Sequence, residues 1–197
     1  IRLSLVGSEM CIRDSLYSSA YKATELKDAN GHEQSGIEDF SISYEALAVC
    51  LDYVYSDYTL FGATLASRAA QPYISGQVSW YTNTPQGRVR YSGKSAGLAN
   101  LAFTPLFMGW SSPRVHQMLG VDVYAPTGSY DKGRLFNAGT NVWSYSPWYS
   151  ITANPIDDLE ISAKMLYMIN ENNRETDYRS GREVNIDYHL GYSVNEH

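Results

Sequence analysis

Alternate residues from 184 to 194 are Val, Ile, Tyr, Leu, Tyr and Val, and those from 183 to 193 are Glu, Asn, Asp, His, Gly and Ser. A period of two over so long a run predicts a β-strand with one apolar and one polar face. Residues 159–169 repeat it, with Leu, Ile, Ala, Met, Tyr and Ile on one parity, and Glu160, Ser162 and Lys164 starting the other. Residues 115–125 give Val115, Leu119, Val121, Val123 and Ala125, with Gln117 as the exception. Weaker alternation at 41–55, 58–71, 73–81, 97–109 and 142–153 brings the expectation to about eight strands. No helical period is present, so the fold class predicted is all-β, an antiparallel up-and-down sheet. No apolar run reaches the ~18 residues of a transmembrane helix, which leaves a membrane barrel open because its strands are short and half apolar.

The connections sharpen this. Those at 82–96, 126–141 and 171–182 are long and polar, whereas 110–114 and 154–157 are short. In a meander this places the long loops at one end, as in outer-membrane barrels. Each predicted strand also approaches the ~9–11 residues that cross a bilayer at a tilt. On the polar parity, Glu160, Lys164, Glu183, Asp187 and His189 suit a water-filled lumen. A lipocalin-like protein would turn the same residues outward into water, and alternation by itself does not separate the two.

Composition favours β-structure and amphipathic surfaces: Tyr supplies 17 residues against 5 Phe, and charged residues are only 18%. Trp110, Tyr124, Trp143, Trp148, Tyr149 and Tyr167 lie on or near predicted strand ends and are candidate interface aromatics. The net charge of −6 is spread along the chain and gives no reason to expect a nucleic-acid partner. Of two cysteines, Cys11 lies in a suspect segment and Cys50 then stands alone, so no disulfide is expected. The four histidines show no metal-ligand spacing, and phosphate-loop and nucleophile-elbow motifs are absent, so neither cofactor nor metal is expected. A barrel hydrolase pairing a Ser with His116 or His189 is the enzymatic alternative.

Residues 1–15 lack a continuous apolar region and do not read as a signal peptide. They resemble a translated sequencing-adapter segment (SLVGSEMCIRD) and are read as foreign to the gene, with residues 16–39 as a loop or truncated strand and 40–197 as the barrel. The chain stops at His197 without a terminal aromatic, so it is expected to be incomplete at both ends.

A family resemblance runs from about Phe40 onward. It is carried by Gly97-Leu-Ala-Asn-Leu-Ala-Phe-Thr-Pro-Leu-Phe-Met-Gly-Trp110 and Gly120-Val-Asp-Val-Tyr-Ala-Pro-Thr-Gly-Ser-Tyr-Asp131. Arg134-Leu-Phe-Asn-Ala-Gly-Thr-Asn-Val-Trp143, Leu159-Glu-Ile-Ser-Ala-Lys164 and Thr176-Asp-Tyr-Arg-Ser-Gly-Arg-Glu183 continue it in order. These motifs resemble the outer-membrane proteins grouped under a meta-pathway of phenol degradation. The resemblance implies an antiparallel barrel in the outer membrane of a Gram-negative bacterium, taking up hydrophobic or aromatic compounds, with bilayer lipid as its partner. It departs at Asn100, where the family commonly carries an Asp, and Asn100 joins the lumen candidates on that ground. A structural or adhesive barrel without substrate is the other non-enzymatic reading. In the long loops, Asp131 and Arg134 are close enough to pair, and Asp177, Arg179 and Arg182 stand at the same end. With Tyr130, Asn137 and Tyr178 they form a candidate vestibule, in which the two loops either interlock through Asp–Arg pairs or stand as solvated, locally satisfied loops.

Overall fold

The structure, a computed structural model, describes residues 12–28 and 30–194. Nine β-segments follow in order: β1 Ile12–Ala23, β2 Glu38–Leu60, β3 Ala63–Thr84, β4 Gly87–Leu98, β5 Leu101–Ser111, β6 Val115–Ala125, β7 Ser144–Ile156, β8 Leu159–Asn170 and β9 Glu183–Tyr192. β3 is long enough to pair with β4 along Tyr73–Thr84 and with β5 along Thr64–Ala70. β4 and β5 are therefore two halves of one wall strand, interrupted at Ala99 and Asn100. The sheet order is β1-β2-β3-β5-β6-β7-β8-β9, every pairing antiparallel. The result is an up-and-down half-barrel of eight wall strands with β1 and β9 at its open edges. Among the described residues no helix is long and apolar enough to cross a membrane, which says nothing of strands.

Several expectations need correcting. The long polar connection at 82–96 is not a loop: β3 runs to Thr84, turns through Pro85 and Gln86, and returns as β4. The predicted strand at 58–71 straddles the end of β2 and the start of β3, and from Ala63 it is continuous with the one predicted at 73–81; in the turn between, Phe61 and Gly62 both have positive φ, 52° and 73°. Two positive φ values in a two-residue link match the right-handed twist of a hairpin, and glycine makes one of them free of strain. Of the segment read as foreign, residues 12–15 belong to β1, with Ile12 opposite Tyr53, and the remainder lies outside the described residues. Of residues 16–39, expected to be a loop or a truncated strand, those as far as Ala23 continue β1, and a connection leads on to Glu38.

The two faces of the sheet are unlike. One carries Leu47, Val49 and Leu51 on β2, Leu119 and Val121 on β6, Ile161 and Met165 on β8, and Val184, Ile186 and Leu190 on β9, all exposed. Single exposed apolar residues are ordinary, but an apolar band running across the strands exceeds what water-soluble surfaces tolerate. The opposite parity holds the buried residues, including Cys50, Asp52, Thr104, Ser146 and Trp148. This face is the inner one, and the loop between β6 and β7 folds onto it.

Candidate functional site on the inner face

Registry brings an ionic and aromatic belt together on the inner face. Asp52 on β2 stands opposite Arg68 on β3, and Arg68 opposite Thr104 on β5. Arg68 donates from Nε to Asp52 Oδ1 at 2.5 Å and from Nη2 to Oδ2 at 3.3 Å, the two-pronged geometry for which guanidinium is shaped. Asp52 is 7% exposed, and Arg68 is the partner that compensates its burial. Thr104 Oγ1 donates to Asp122 Oδ1 at 2.5 Å, and Trp148 Nε1 donates to the same oxygen at 2.8 Å.

The aromatic part of the belt follows from a missing side chain. Trp148 lies opposite Gly120, where a Cβ would come within 2.8 Å of both Trp148 and Phe107. The Phe107 and Trp148 rings meet at 5.9 Å between centroids, Arg68 Cζ lies 5.7 Å from the Phe107 centroid, and Lys164 Nζ lies 5.0 Å from the Trp148 ring. Cations over aromatic faces gain from the ring quadrupole and are held in position. Beside the belt, Tyr17, Cys50, Arg68, Ala102, Thr104 and Asp122 border a recess of about 250 Å³. Its walls combine small apolar side chains with two charged groups.

Above the belt, Asn100 fixes the start of β5 to the 126–143 loop. Its Nδ2 donates to Thr140 Oγ1 at 2.8 Å, and its Oδ1 accepts from Thr140 N at 3.3 Å. Thr127 Oγ1 accepts from Leu101 N at 3.0 Å on the other side. Asn100 thus anchors a loop rather than standing in an open lumen.

Glu160, Lys164, Glu183, Asp187 and His189 share the inner parity of β8 and β9, and Lys164 is directly opposite Asp187. The aromatic candidates divide. Trp110, Tyr149 and Tyr167 have the outer parity. Trp110 Nε1 donates to Phe61 O at 3.1 Å beside the first hairpin, and Tyr149 OH donates to Gln117 Oε1 at 2.6 Å. Tyr124 and Trp148 are on the inner face, opposite Ala102 and Gly120, so neither is an interface aromatic. Trp143 sits in the loop ahead of β7, half-buried, its carbonyl accepting from Glu171 N at 2.9 Å.

Of the two alternatives for the long loops, the charged residues follow the locally satisfied one, and no Asp–Arg pair joins the loops among the described residues. Arg134 reaches Asp131 within its own loop, Nε to Oδ2 3.7 Å, and Asn137 bonds both backbone groups of Asp131. Asp177 accepts from Asn172 Nδ2 at 2.9 Å, and Arg179 Nε donates to Asn170 O at 2.8 Å, again within one loop and its flank. Tyr130 is half-buried, while Tyr178 and Arg182 are exposed. The loops are joined by amides instead. Asn173 Nδ2 donates to Thr140 O at 3.1 Å, and Asn141 Nδ2 donates to Asn173 Oδ1 at 3.4 Å and Glu175 Oε1 at 3.3 Å. Asn141 adopts φ 55°, a conformation asparagine tolerates better than most residues. Short amides scattered through polar loops carry no spacing signal, so this link is not legible in the sequence.

The hydrolase alternative gains one contact. Ser111 Oγ lies 3.0 Å from His116 Nδ1 across the β5–β6 pair, but both are exposed at the short-turn end of the inner face. No carboxylate among the described residues orients that imidazole, so the pair reads as a cross-strand contact. Among the described residues no group of three or more His, Cys, Asp or Glu could hold a metal ion.

Comparison with known proteins places these features in context. The family described as "Putative MetA-pathway of phenol degradation" matches residues 24–197. A solved outer membrane channel from Pseudomonas putida F1 superposes with a TM-score of 0.69 at 20% identity, covering 96% of this chain and 68% of that one. At that identity the likeness concerns the fold. No curated protein matches.

Proposed function

The chain belongs to the phenol-degradation family whose pattern covers residues 24–197, and on that premise we propose that it is part of an outer-membrane channel or transporter for small hydrophobic compounds, aromatic ones among them. The observation that carries this reading is the inverted distribution of polarity. Leu and Ile side chains are exposed on the outside of the half-barrel, whereas the Asp52–Arg68 pair and the Asp122 hydrogen bonds are sheltered inside. Transfer of exposed apolar surface to lipid is favourable by ~25 cal/mol per Å², and antiparallel pairing satisfies the backbone groups that lipid cannot. Position on an outer-membrane wall accounts for both faces at once.

An inner face of ion pairs, rings and a recess suits a molecule with an apolar body and a polar edge. Phe107 and Trp148 offer ring contact, and Arg68 and Asp122 offer a donor and an acceptor beside them. Glu160, Lys164, Glu183, Asp187 and His189 give β8 and β9 a polar lining in this reading, and Trp110, Tyr149 and Tyr167 meet the bilayer. The test uses full-length protein, first in membrane fractionation and then in liposomes loaded with a dye that reports entry of a monoaromatic solute. The reading expects outer-membrane recovery and solute entry above that of protein-free vesicles. Recovery in the soluble fraction would refute the location, and membrane insertion without entry would favour a structural barrel.

A further inference from the structure

The loop at 126–143 is packed as though it were part of the wall. Three inner-face positions under it are glycine: Gly76 on β3, and Gly93 and Gly97 on β4. A Cβ at Gly76 would collide with the Phe136 ring, one at Gly93 would stand 2.9 Å from Leu135 Cβ, and one at Gly97 would stand 2.9 Å from Ser129 Cβ. Phe136 and Ala138 are buried at 9% and 6% exposure, although both belong to a polar, turn-rich stretch. Gly128 and Gly139 meet backbone to backbone, where a Cβ on Gly128 would stand 2.6 Å from Gly139 Cα.

Backbone hydrogen bonds complete the attachment. Ser129 N donates to Leu98 O at 2.8 Å, and Gly139 N donates to Ser129 O at 2.9 Å. Asn100 and Thr127 hold the two flanks. In contrast, Leu135, whose Cβ lies over Gly93, is 48% exposed on a loop anchored by its neighbour.

We propose that residues 128–139 are a fixed constriction of the bore, with Phe136 as its anchor and Leu135 as the side chain that sets the size of solute admitted. This rests on the channel reading above, but the docking is a separate claim about the loop. A lid would need a weakly held segment, with few buried contacts and exposed backbone bonds. This loop has buried side chains, a glycine-lined seat and internal bonds to the wall.

The experiment has two arms, both in full-length protein without its native thiols. The first pairs Gly97→Cys with Ala138→Cys in a Ser129→Gly background. A Cβ at Gly97 lies 4.0 Å from Ala138 Cβ, within the ~3.5–4.5 Å span of a disulfide. Near-complete oxidation in liposomes, with solute entry the same before and after reduction, is the expected result. Failure to cross-link, or entry that is lost on oxidation and restored on reduction, would overturn the proposal. The second arm compares Leu135→Ala and Gly93→Leu using a graded series of solutes. Both are expected to raise the size limit, Gly93→Leu more because it unseats the loop; an unchanged limit in both would overturn the proposal. A wild-type protein that passes no solute would refute the channel reading, while the cross-link still decides whether the loop is docked.

Discussion

Trp148 and Asp122 are joined across the β6–β7 pair by a 2.8 Å hydrogen bond, two residues along β7 from Ser146, the direct partner of Asp122. The same carboxylate oxygen also takes the Thr104 hydroxyl, so one acidic side chain ties three wall strands together on the inner face. Removing the acceptor leaves two sheltered donors without a partner. Asp122→Ala is therefore expected to destabilise the barrel by ~2–4 kcal/mol in denaturant unfolding, the range for unmade bonds to a charged group. Asp122→Asn keeps an acceptor of similar shape and should cost less than half of that.

The Asp52–Arg68 pair supplies a second prediction, whose sign depends on burial. The Asp52 side chain is 10% exposed and that of Arg68 37%, so losing arginine strands the more deeply buried charge. Arg68→Ala should destabilise more than Asp52→Ala, on the order of 3 kcal/mol against 1–2 kcal/mol. The double variant should recover part of the Arg68→Ala loss. A double-mutant cycle in the same unfolding assay measures that coupling.

Ser146 is fully buried, and its hydroxyl has no partner among the described residues. An unmade buried hydrogen bond costs ~1–3 kcal/mol, so Ser146→Ala is expected to be neutral or to raise stability by up to ~1 kcal/mol. Most substitutions at a buried position do the opposite. Thermal unfolding of the two proteins side by side gives the answer.

At the long-loop end, Asn173 serves four contacts, donating to Thr140 and accepting from Asn141, Glu175 N and Thr176 N. Asn173→Ala should release the 171–182 loop and bring protease cleavage within it. Arg179→Glu disrupts only a bond to the loop's own flank, so the two loops should stay joined and cleavage should remain near wild type. Equal cleavage of the two variants would return the interlock to the charged residues.

What could be read from sequence follows the physics of alternation. At β9 the rule was unopposed, since every second residue is large and apolar, and the structure has the same parity throughout. It failed at β4, where the inner parity is Gly93, Ser95 and Gly97 and the outer is Ser92, Lys94 and Ala96, so no apolar face marks a strand. The glycines there answer to a loop remote in sequence, a constraint that no local window contains. Trp148 was legible in principle, because its parity partners on β7 are Ser144, Ser146, Ser150 and Thr152. Trp is common both at membrane interfaces and in sheltered sites, so residue type alone does not place it. The Asp52–Arg68 and Asn141–Asn173 contacts join distant segments and left no spacing to find.

The central claim is that outward residues of the wall meet lipid while their neighbours meet water. It is tested most directly by a fluorescent label placed in turn on Val184, Asn185, Ile186, Asp187, Tyr188 and His189 in full-length protein reconstituted with brominated lipid. The account predicts that labels at 184, 186 and 188 are quenched by the lipid and those at 185, 187 and 189 by aqueous iodide. Quenching by iodide at all six positions, or the opposite alternation, would contradict it.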